Sequence, residues 1–276
     1  MFCHGFSIGY IPLDREGKLT PEAVEKAITP NTKIVSIAQV TNVLGYIIDI
    51  KSIAKICHKH NIVLVVDGAQ SVPHMKVDVK DLDCDFLIFS GHKLCGPTGT
   101  GVLYGKYDLL CKMDALMVGG GDNIRFDLCG NVSLLEPPLK FEAGTQNLAG
   151  IYGLGSAIDY LNNLGMDNIE KYEKELRDYA ISKLKTLDNV IIYNEHADTG
   201  IITINVKDVF PQDEATYLNS KGICVRSGQH CAKLLLDFLH AVGTVRISLY
   251  FYNNKEDIDQ LYEALKTGGN ILDAYF

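Results

Sequence analysis

Apolar positions along the chain switch between two periods, and the switches mark its elements. Ile62–Val66 is a short, continuous, β-branched run that stops at Asp67-Gly68, and Phe86–Phe89 is a second, stopping at Ser90-Gly91-His92-Lys93. Runs of this length without alternation are the pattern of parallel strands covered on both faces. Between them and their neighbours the period becomes helical: Ile50, Ile53, Ala54, Ile56 and Cys57 share one face of a predicted helix Ile48–Lys59. Asp49 enters that helix, and His58-Lys59-His60 leave it with basic groups suited to a C-terminus. With the buried strand Lys33–Ala38 ahead of it, Lys33–Asp67 reads as one strand–helix–strand unit. Upstream, Pro21–Ile28 is a short helix with Thr20 as its N-cap. Downstream, Gly96, Gly99 and Gly101 form a tight turn into Val102–Tyr104, an antiparallel return strand.

The second half has a different rhythm. A long helix, Ile151–Leu161, and a charged one, Asn168–Leu184, precede strands at Val190–Tyr193 and Ile201–Asn205. A helix Asp213–Lys221 stopped by Gly222, strands at Ile223–Val225 and Val245–Leu249, and a closing helix Glu256–Leu265 complete the pattern. The predicted architecture is α/β: a mostly parallel sheet flanked by helices over residues 1–161, then a smaller α+β domain over residues 162–276. In an open parallel sheet, ligands sit outside the carboxyl ends of the strands, so Asp67 and Lys93 should face one crevice. They lie 93 − 67 = 26 residues apart, enough for one crossover between neighbouring strands.

Composition narrows the partners. With 26 Lys+Arg against 34 Asp+Glu, the net charge is −8 and no basic cluster stands out, which argues against nucleic acid or an anionic membrane. No apolar run reaches the roughly 18 residues of a membrane span, and MFCHGFSIGYIP lacks the pattern of a secretory signal. The cysteines, at positions 3, 57, 84, 95, 111, 129, 224 and 231, have no zinc-ligand spacing, and no metal is expected. Free thiols point to a reducing cytoplasm. Cys57, Cys84 and Cys224 sit in apolar surroundings and read as small core residues.

A lysine and a carboxylate ending adjacent strands suit pyridoxal phosphate: the amine forms a Schiff base with the aldehyde, and the acid keeps the pyridinium nitrogen protonated. Alone, the pair reads better as an ion pair at a sheet edge. Its surroundings change that: DGAQ at 67–70, CDFLIFSGHK at 84–93 and GPTGTGVLY at 96–104. Together these strings resemble the class V branch of the fold-type I pyridoxal-phosphate enzymes, and most closely the SufS-type cysteine desulfurases. The resemblance implies that Lys93 holds the cofactor and then moves the substrate α-proton, with Asp67 on the ring nitrogen. It gives Ser90 and His92 the cofactor phosphate, Gln70 the ring hydroxyl and Asn42 the substrate. In FEAGT, at 141–145, it gives Thr145 the cofactor phosphate of a neighbouring subunit, and so a homodimer with shared active sites. Read singly, Ser90, His92 and Gln70 are loop hydrogen bonders, Asn42 an Asx-turn residue before Gly45, and Thr145 a turn or cap. Family members also carry a long segment ahead of GFSIGYIP, with a phosphate-binding turn and a ring-stacking histidine. The chain is therefore expected to correspond to the C-terminal part of such an enzyme.

A second string, VRSGQHCA at 225–232, resembles the segment in which these desulfurases carry their sulfur acceptor, here Cys231. The thiolate is the nucleophile, and a nearby histidine or arginine lowers the thiol pKa. Arg246, in VRISLYFYN, matches the arginine that grips the amino-acid carboxylate through its fork of donors, and Arg226 supports the same loop. Without the resemblance, Cys231 would read as a buried hydrophobe and Arg246 as a strand-end charge. Two departures stand out: Gln229 where many relatives have histidine, bearing on thiol activation, and Lys233-Leu234 for a Met-Pro pair, expected to loosen the loop. The short Arg226–Cys231 segment favours the SufS group over the NifS group, whose cysteine loop is long and mobile.

The implied reaction converts L-cysteine to L-alanine and leaves a persulfide on Cys231, which passes to an acceptor protein for iron–sulfur assembly. Three alternatives stay open at this point: a lyase acting on L-selenocysteine, another class V aminotransferase without need of Cys231, and a non-catalytic dimerising fragment.

Overall fold

The computed structural model describes residues 5–267, so Cys3 lies outside the described residues. The Thr20 hydroxyl accepts from the Ala23 N–H at 3.2 Å and Pro21 sets the first turn of α1 (Pro21–Ala27). Strand β1 (Ile34–Ala38) leads to α2 (Ile50–Lys59), whose cap Asp49 accepts from the Ser52 N–H at 3.0 Å. Then come β2 (Val63–Asp67), the short α3 (Val79–Leu82), β3 (Phe86–Ser90), β4 (Gly101–Gly105) and α4 (Tyr107–Lys112). The sheet runs β1-β2-β3-β4, with the first three strands parallel and β4 antiparallel to β3. The strands that end in Asp67 and Ser90 are neighbours, as their separation in sequence allowed.

One expectation does not hold. The continuous apolar runs read as strands covered on both faces, yet only one face is covered among the described residues. On it, Val35, Ile37, Leu64, Val66 and Leu87 pack against Ile50, Ile53, Ala54 and Cys57 of α2. On the other, Ile34, Ile88 and Leu103 are 62%, 42% and 50% exposed, and Leu109, Lys112 and Met113 border the groove they line with Val63, Val65 and Phe86. Side chains alternate between faces along a strand, so one helix layer can bury only every second residue of such a run.

A hairpin that the periodicity did not reveal, β5 (Asn123–Phe126) and β6 (Val132–Leu134), precedes α5 (Leu148–Leu164), whose cap Asn147 accepts from the Gly150 N–H at 3.0 Å. After α6 (Met166–Leu184) come β7 (Val190–Ile192), β8 (Ile201–Val206), α7 (Pro211–Ser220), β9 (Arg226–Gly228), α8 (Lys233–Phe238), β10 (Thr244–Ser248) and α9 (Lys255–Lys266). The second sheet is antiparallel, in the order β7-β8-β10-β9. Leu176, Ala180 and Leu184 of α6, Leu218 of α7 and Ile258 and Leu261 of α9 cover Ile202, Ile204, Val245 and Ile247 on one of its faces.

Ile223–Val225, expected as a strand, is not one. The Ile223 N–H still bonds to Leu218 O at 2.9 Å, closing α7, and pairing with β10 begins only at Arg226. Ile223 and Val225 pack on the core from this extended segment, which turns Cys224 between them outward. Cys224 is therefore exposed rather than a core residue, whereas Cys57 and Cys84 are buried as read.

Candidate active site

Three chain ends line up beyond the carboxyl edge of the parallel strands. Asp67 is the last residue of β2 and exposed; its Oδ1 accepts from the Ala69 N–H at 2.8 Å, which bends the chain into the turn carrying half-buried Gln70. The Asp67 carbonyl accepts from Gln39 N at 2.9 Å, tying this end to that of β1. Lys93, exposed like His92, closes a single 3-10 turn, Gly91–Lys93. That turn is fixed from beneath: Gly91 N donates to Thr100 O, and Leu94 N and Gly96 N both donate to Gly91 O, each at 2.9 Å. A Cβ at Gly91 would stand 2.2 Å from Thr100 Oγ1, so a bare backbone is required there. Ser90 occupies the N-cap position of the turn, yet its hydroxyl makes no capping bond. Thr145 is exposed on the loop ahead of α5, whose Gly150 and Gly153 lie against Thr100 and Pro97 of the lysine loop.

The opposite wall comes from the second sheet. Arg246 of β10 is flanked in register by Thr203 of β8 and Arg226 of β9. Its Nη1 donates to Asn42 O at 2.9 Å, while Asn42 Nδ2 donates to His230 O at 2.8 Å. Asn42 therefore does not spend its side chain on an Asx-turn; the Thr41 hydroxyl takes the Tyr46 N–H instead, at 3.1 Å. Arg246 is half-buried within the strand rather than a strand-end surface charge, and its Nε is buried without a partner among the described residues. Burial, then the neighbouring Arg226, holds its pKa below the usual guanidinium range. Two adjacent guanidiniums with an unused buried donor suit a carboxylate.

His230 and Cys231 follow one another at φ +50° and +60°, a left-handed pair in which neither residue is glycine. Cys231 is exposed, whereas His230 is 4% exposed with Nε2 3.0 Å from both the carbonyl and the hydroxyl of Thr244. Burial pulls the His230 pKa below its ordinary value. A neutral ring brings no positive charge to this loop; Arg246 and Arg226 are the cations close enough to act on His230. Lys233 and Leu234 form the first turn of α8, which begins directly after the cysteine loop.

Sequence reasoning missed the polar side chains that join the two sheets. His74, in the turn after Asp67, places Nδ1 3.0 Å from both oxygens of buried Glu173 on α6, and Tyr250 OH donates to Pro73 O at 2.8 Å. Asn194 and Thr203 are completely buried against residues 43 and 44. The legible signal was Thr203 itself, a hydroxyl inside the apolar run of β8, because a buried polar group in such a run needs a partner.

A mostly parallel sheet presenting a lysine and a carboxylate at neighbouring strand ends, joined to an antiparallel sheet bearing an arginine, is the arrangement of the fold-type I pyridoxal-phosphate enzymes. The chain belongs to the aminotransferase class-V family, whose model matches residues 2–261. It is 48% identical over 262 residues to a probable cysteine desulfurase of Halalkalibacterium halodurans, covering 95% of this chain and 64% of that protein. The chain thus spans less than two thirds of that relative's length. Among solved structures, the cysteine desulfurase CsdA of Escherichia coli matches with a TM-score of 0.90 at 35% identity, covering 95% of this chain and 65% of the other. A cysteine desulfurase from Thermococcus onnurineus matches with a TM-score of 0.89 at 37% identity, covering 94% and 65%.

Proposed function

We propose that the chain carries out the cysteine desulfurase reaction, L-cysteine to L-alanine with the sulfur retained on Cys231, and that its cofactor is pyridoxal phosphate. The observation that carries this reading is the pair of hydrogen bonds from Arg246 to Asn42 O and from Asn42 to His230 O. They tie the segment carrying exposed Cys231 to the chain that follows β1, the strand paired with the one that ends in Asp67. The donor set fits the cofactor: Ser90 has a hydroxyl without a capping duty, His92 is exposed beside it, and Gln70 follows Asp67 on the same edge. When bound, pyridoxal phosphate would supply an aldehyde to the Lys93 amine and an electron-withdrawing ring. Ser90, His92 and, from a second copy, Thr145 would hold its phosphate, and Gln70 its ring hydroxyl.

The chain's own groups then divide the work. Asp67 keeps a proton on the heterocycle nitrogen. Arg246, supported by Arg226, grips the substrate carboxylate, and Asn42 contacts the amino acid beside it. Lys93 takes the α-proton and moves it within the substrate. The Cys231 thiolate attacks the substrate sulfur, so that the S–S bond forms as Cβ–S breaks. Cβ takes up a proton in place of the one the Cys231 thiol gave up on ionising, Lys93 returns the α-proton, and the carbon skeleton leaves as L-alanine. The persulfide passes to an acceptor protein for iron–sulfur assembly.

A homodimer is part of this reading, supported by the outer face of α5, where Leu148, Ile151 and Tyr152 are 68%, 54% and 81% exposed. Residues 1–161 would bind the cofactor and residues 162–276 would form the smaller unit. A cytoplasmic site fits the free thiols, and no helix among the described residues is long and apolar enough to cross a membrane.

The test is to purify the full chain with pyridoxal phosphate, record its visible absorbance, trap the adduct with borohydride and map it. L-cysteine is then added, and alanine and Cys231 persulfide are measured. Trapping at Lys93, with a persulfide lost in Cys231→Ala, is expected. A colourless protein with no adduct at Lys93 would refute the reading. Alanine formed equally well from selenocysteine in Cys231→Ala would move it to lyase chemistry.

A further inference from the structure

Four consecutive backbone carbonyls of one turn are each taken by a side chain of the second sheet or of its β7–β8 loop. Arg246 Nη1 donates to Asn42 O at 2.9 Å, Thr203 Oγ1 to Val43 O, Asn194 Nδ2 to Leu44 O at 2.8 Å, and Thr199 Oγ1 to Gly45 O at 2.9 Å. In the other direction, the Ile47 N–H donates to Asp198 Oδ2 at 3.0 Å. Gly45, at φ +68°, makes the approach possible, since a Cβ there would stand 2.6 Å from Thr199 Oγ1.

The donors are themselves fixed. Asn194 Oδ1 accepts from Thr203 N at 2.9 Å, and its Nδ2 also donates to Ile201 O at 2.8 Å. Arg177, 2% exposed, gives its guanidinium to the carbonyls of Asn194, Glu195, Thr199 and Ile201, holding the loop between β7 and β8 from within. Thr203 lies directly opposite Arg246 across the β8–β10 pairing, so two neighbours on one sheet face take two successive carbonyls. Asn42 is gripped at both ends, by Arg246 at its carbonyl and by His230 O at its amide.

We propose that Thr203, with Asn194 behind it, is a positioning residue that fixes the spacing between Arg246 and the cysteine loop on one sheet and Asn42 on the other. The amino-acid site then stands assembled before substrate arrives, because the turn cannot swing away without orphaning carbonyls 42–45 together. The substrate part of this inference rests on the desulfurase reading; the coupling of the two segments does not.

The test compares Thr203→Val, which keeps the shape and removes the donor, with Thr203→Ser, which keeps the donor. Both are made in the full chain loaded with pyridoxal phosphate. Hydrogen exchange is followed in residues 42–48 and 229–232, beside KM and kcat for L-cysteine. Thr203→Val is expected to speed exchange in both segments and to raise KM about tenfold, the scale of one lost hydrogen bond, with Lys93 trapping unchanged. Thr203→Ser should stay near wild type in every readout. Faster exchange confined to β8, or lower stability with KM unmoved, would overturn the proposal. If wild type does not turn over L-cysteine, the functional reading fails, and joint or separate loosening of the two segments still decides the clamp. Half-buried Thr199→Val, which removes the donor to Gly45 O, gives the same comparison should Thr203→Val not fold.

Discussion

Glu214 gives the sharpest thermodynamic prediction. It lies in the first turns of α7, 1% exposed, with neither carboxylate oxygen hydrogen-bonded among the described residues. Desolvation, with no compensating partner, pushes its pKa from 4.5 up to about 6. The folded state then holds a proton between those values that the unfolded chain has already released. Stability contributed by this group is present below pH 4.5 and is lost as pH rises through about 6. At about 1.4 kcal/mol per pH unit, the displacement is worth about 2 kcal/mol. Glu214→Gln keeps the side chain's size and its buried polar cost while removing the charge. Urea unfolding followed by circular dichroism should show the variant gaining about 2 kcal/mol more, relative to wild type, near pH 7.5 than near pH 4. The same stability difference at both pH values, or a variant weakened only at neutral pH, would refute the argument, because it would mean that the carboxylate has a partner.

Three further outcomes follow from buried pairs and strained backbone. His74→Ala leaves Glu173 as an uncompensated buried carboxylate, so it should cost about 3 kcal/mol near neutral pH, while a His74→Leu/Glu173→Leu double variant should cost less; urea midpoints of the three decide it. Because Cys231 sits at φ +60°, Cys231→Gly should be about 1 kcal/mol more stable than Cys231→Ala, by thermal or urea unfolding, although both lose the thiol. Asp85 accepts from the Leu64 N–H at 2.8 Å and faces His58 at 3.2 Å and Lys106 at 3.1 Å; Asp85→Ala should therefore lower stability by about 3 kcal/mol, with little relief from added salt. Equal loss in Asp85→Asn would show that the charge, rather than the acceptor geometry, matters there.

The parallel strands and α2 were legible because their signals are local. A β-branched run ending at Asp67-Gly68, a capped helix with apolar residues at helical spacing, and a glycine turn before β4 each specify themselves within a dozen residues. The same locality explains the failures. Whether a strand's second face is covered depends on what else lies against it, so Ile34 and Ile88 read as buried although both are exposed here. Ile223–Val225 has strand composition, but Gly222 returns the chain so that Ile223 caps α7 before any partner strand is reached. His230 looked like a cation beside a thiol, and only the Thr244 contacts and the surrounding burial make it a neutral pin.

The lysine edge and the cysteine loop are legible for opposite reasons. Lys93 owes its place to one turn of chain, closed by Thr100 and built from glycines, so its motif could be read without knowing what faces it. Cys231 owes its place to partners far away in sequence: Asn42 holds the preceding carbonyl, Thr244 the preceding ring, and Arg246 returns to Asn42. The turn that follows Asn42 is itself held by residues 194–203, through the carbonyls of residues 43, 44 and 45. A spacing that no single segment encodes needs a rigid connection, and buried backbone carbonyls provide one, since each lost bond leaves a desolvated oxygen that water cannot reach. Substitutions in the 194–203 segment should thus disturb the meeting of arginine and thiol with the lysine edge more than they disturb either sheet alone.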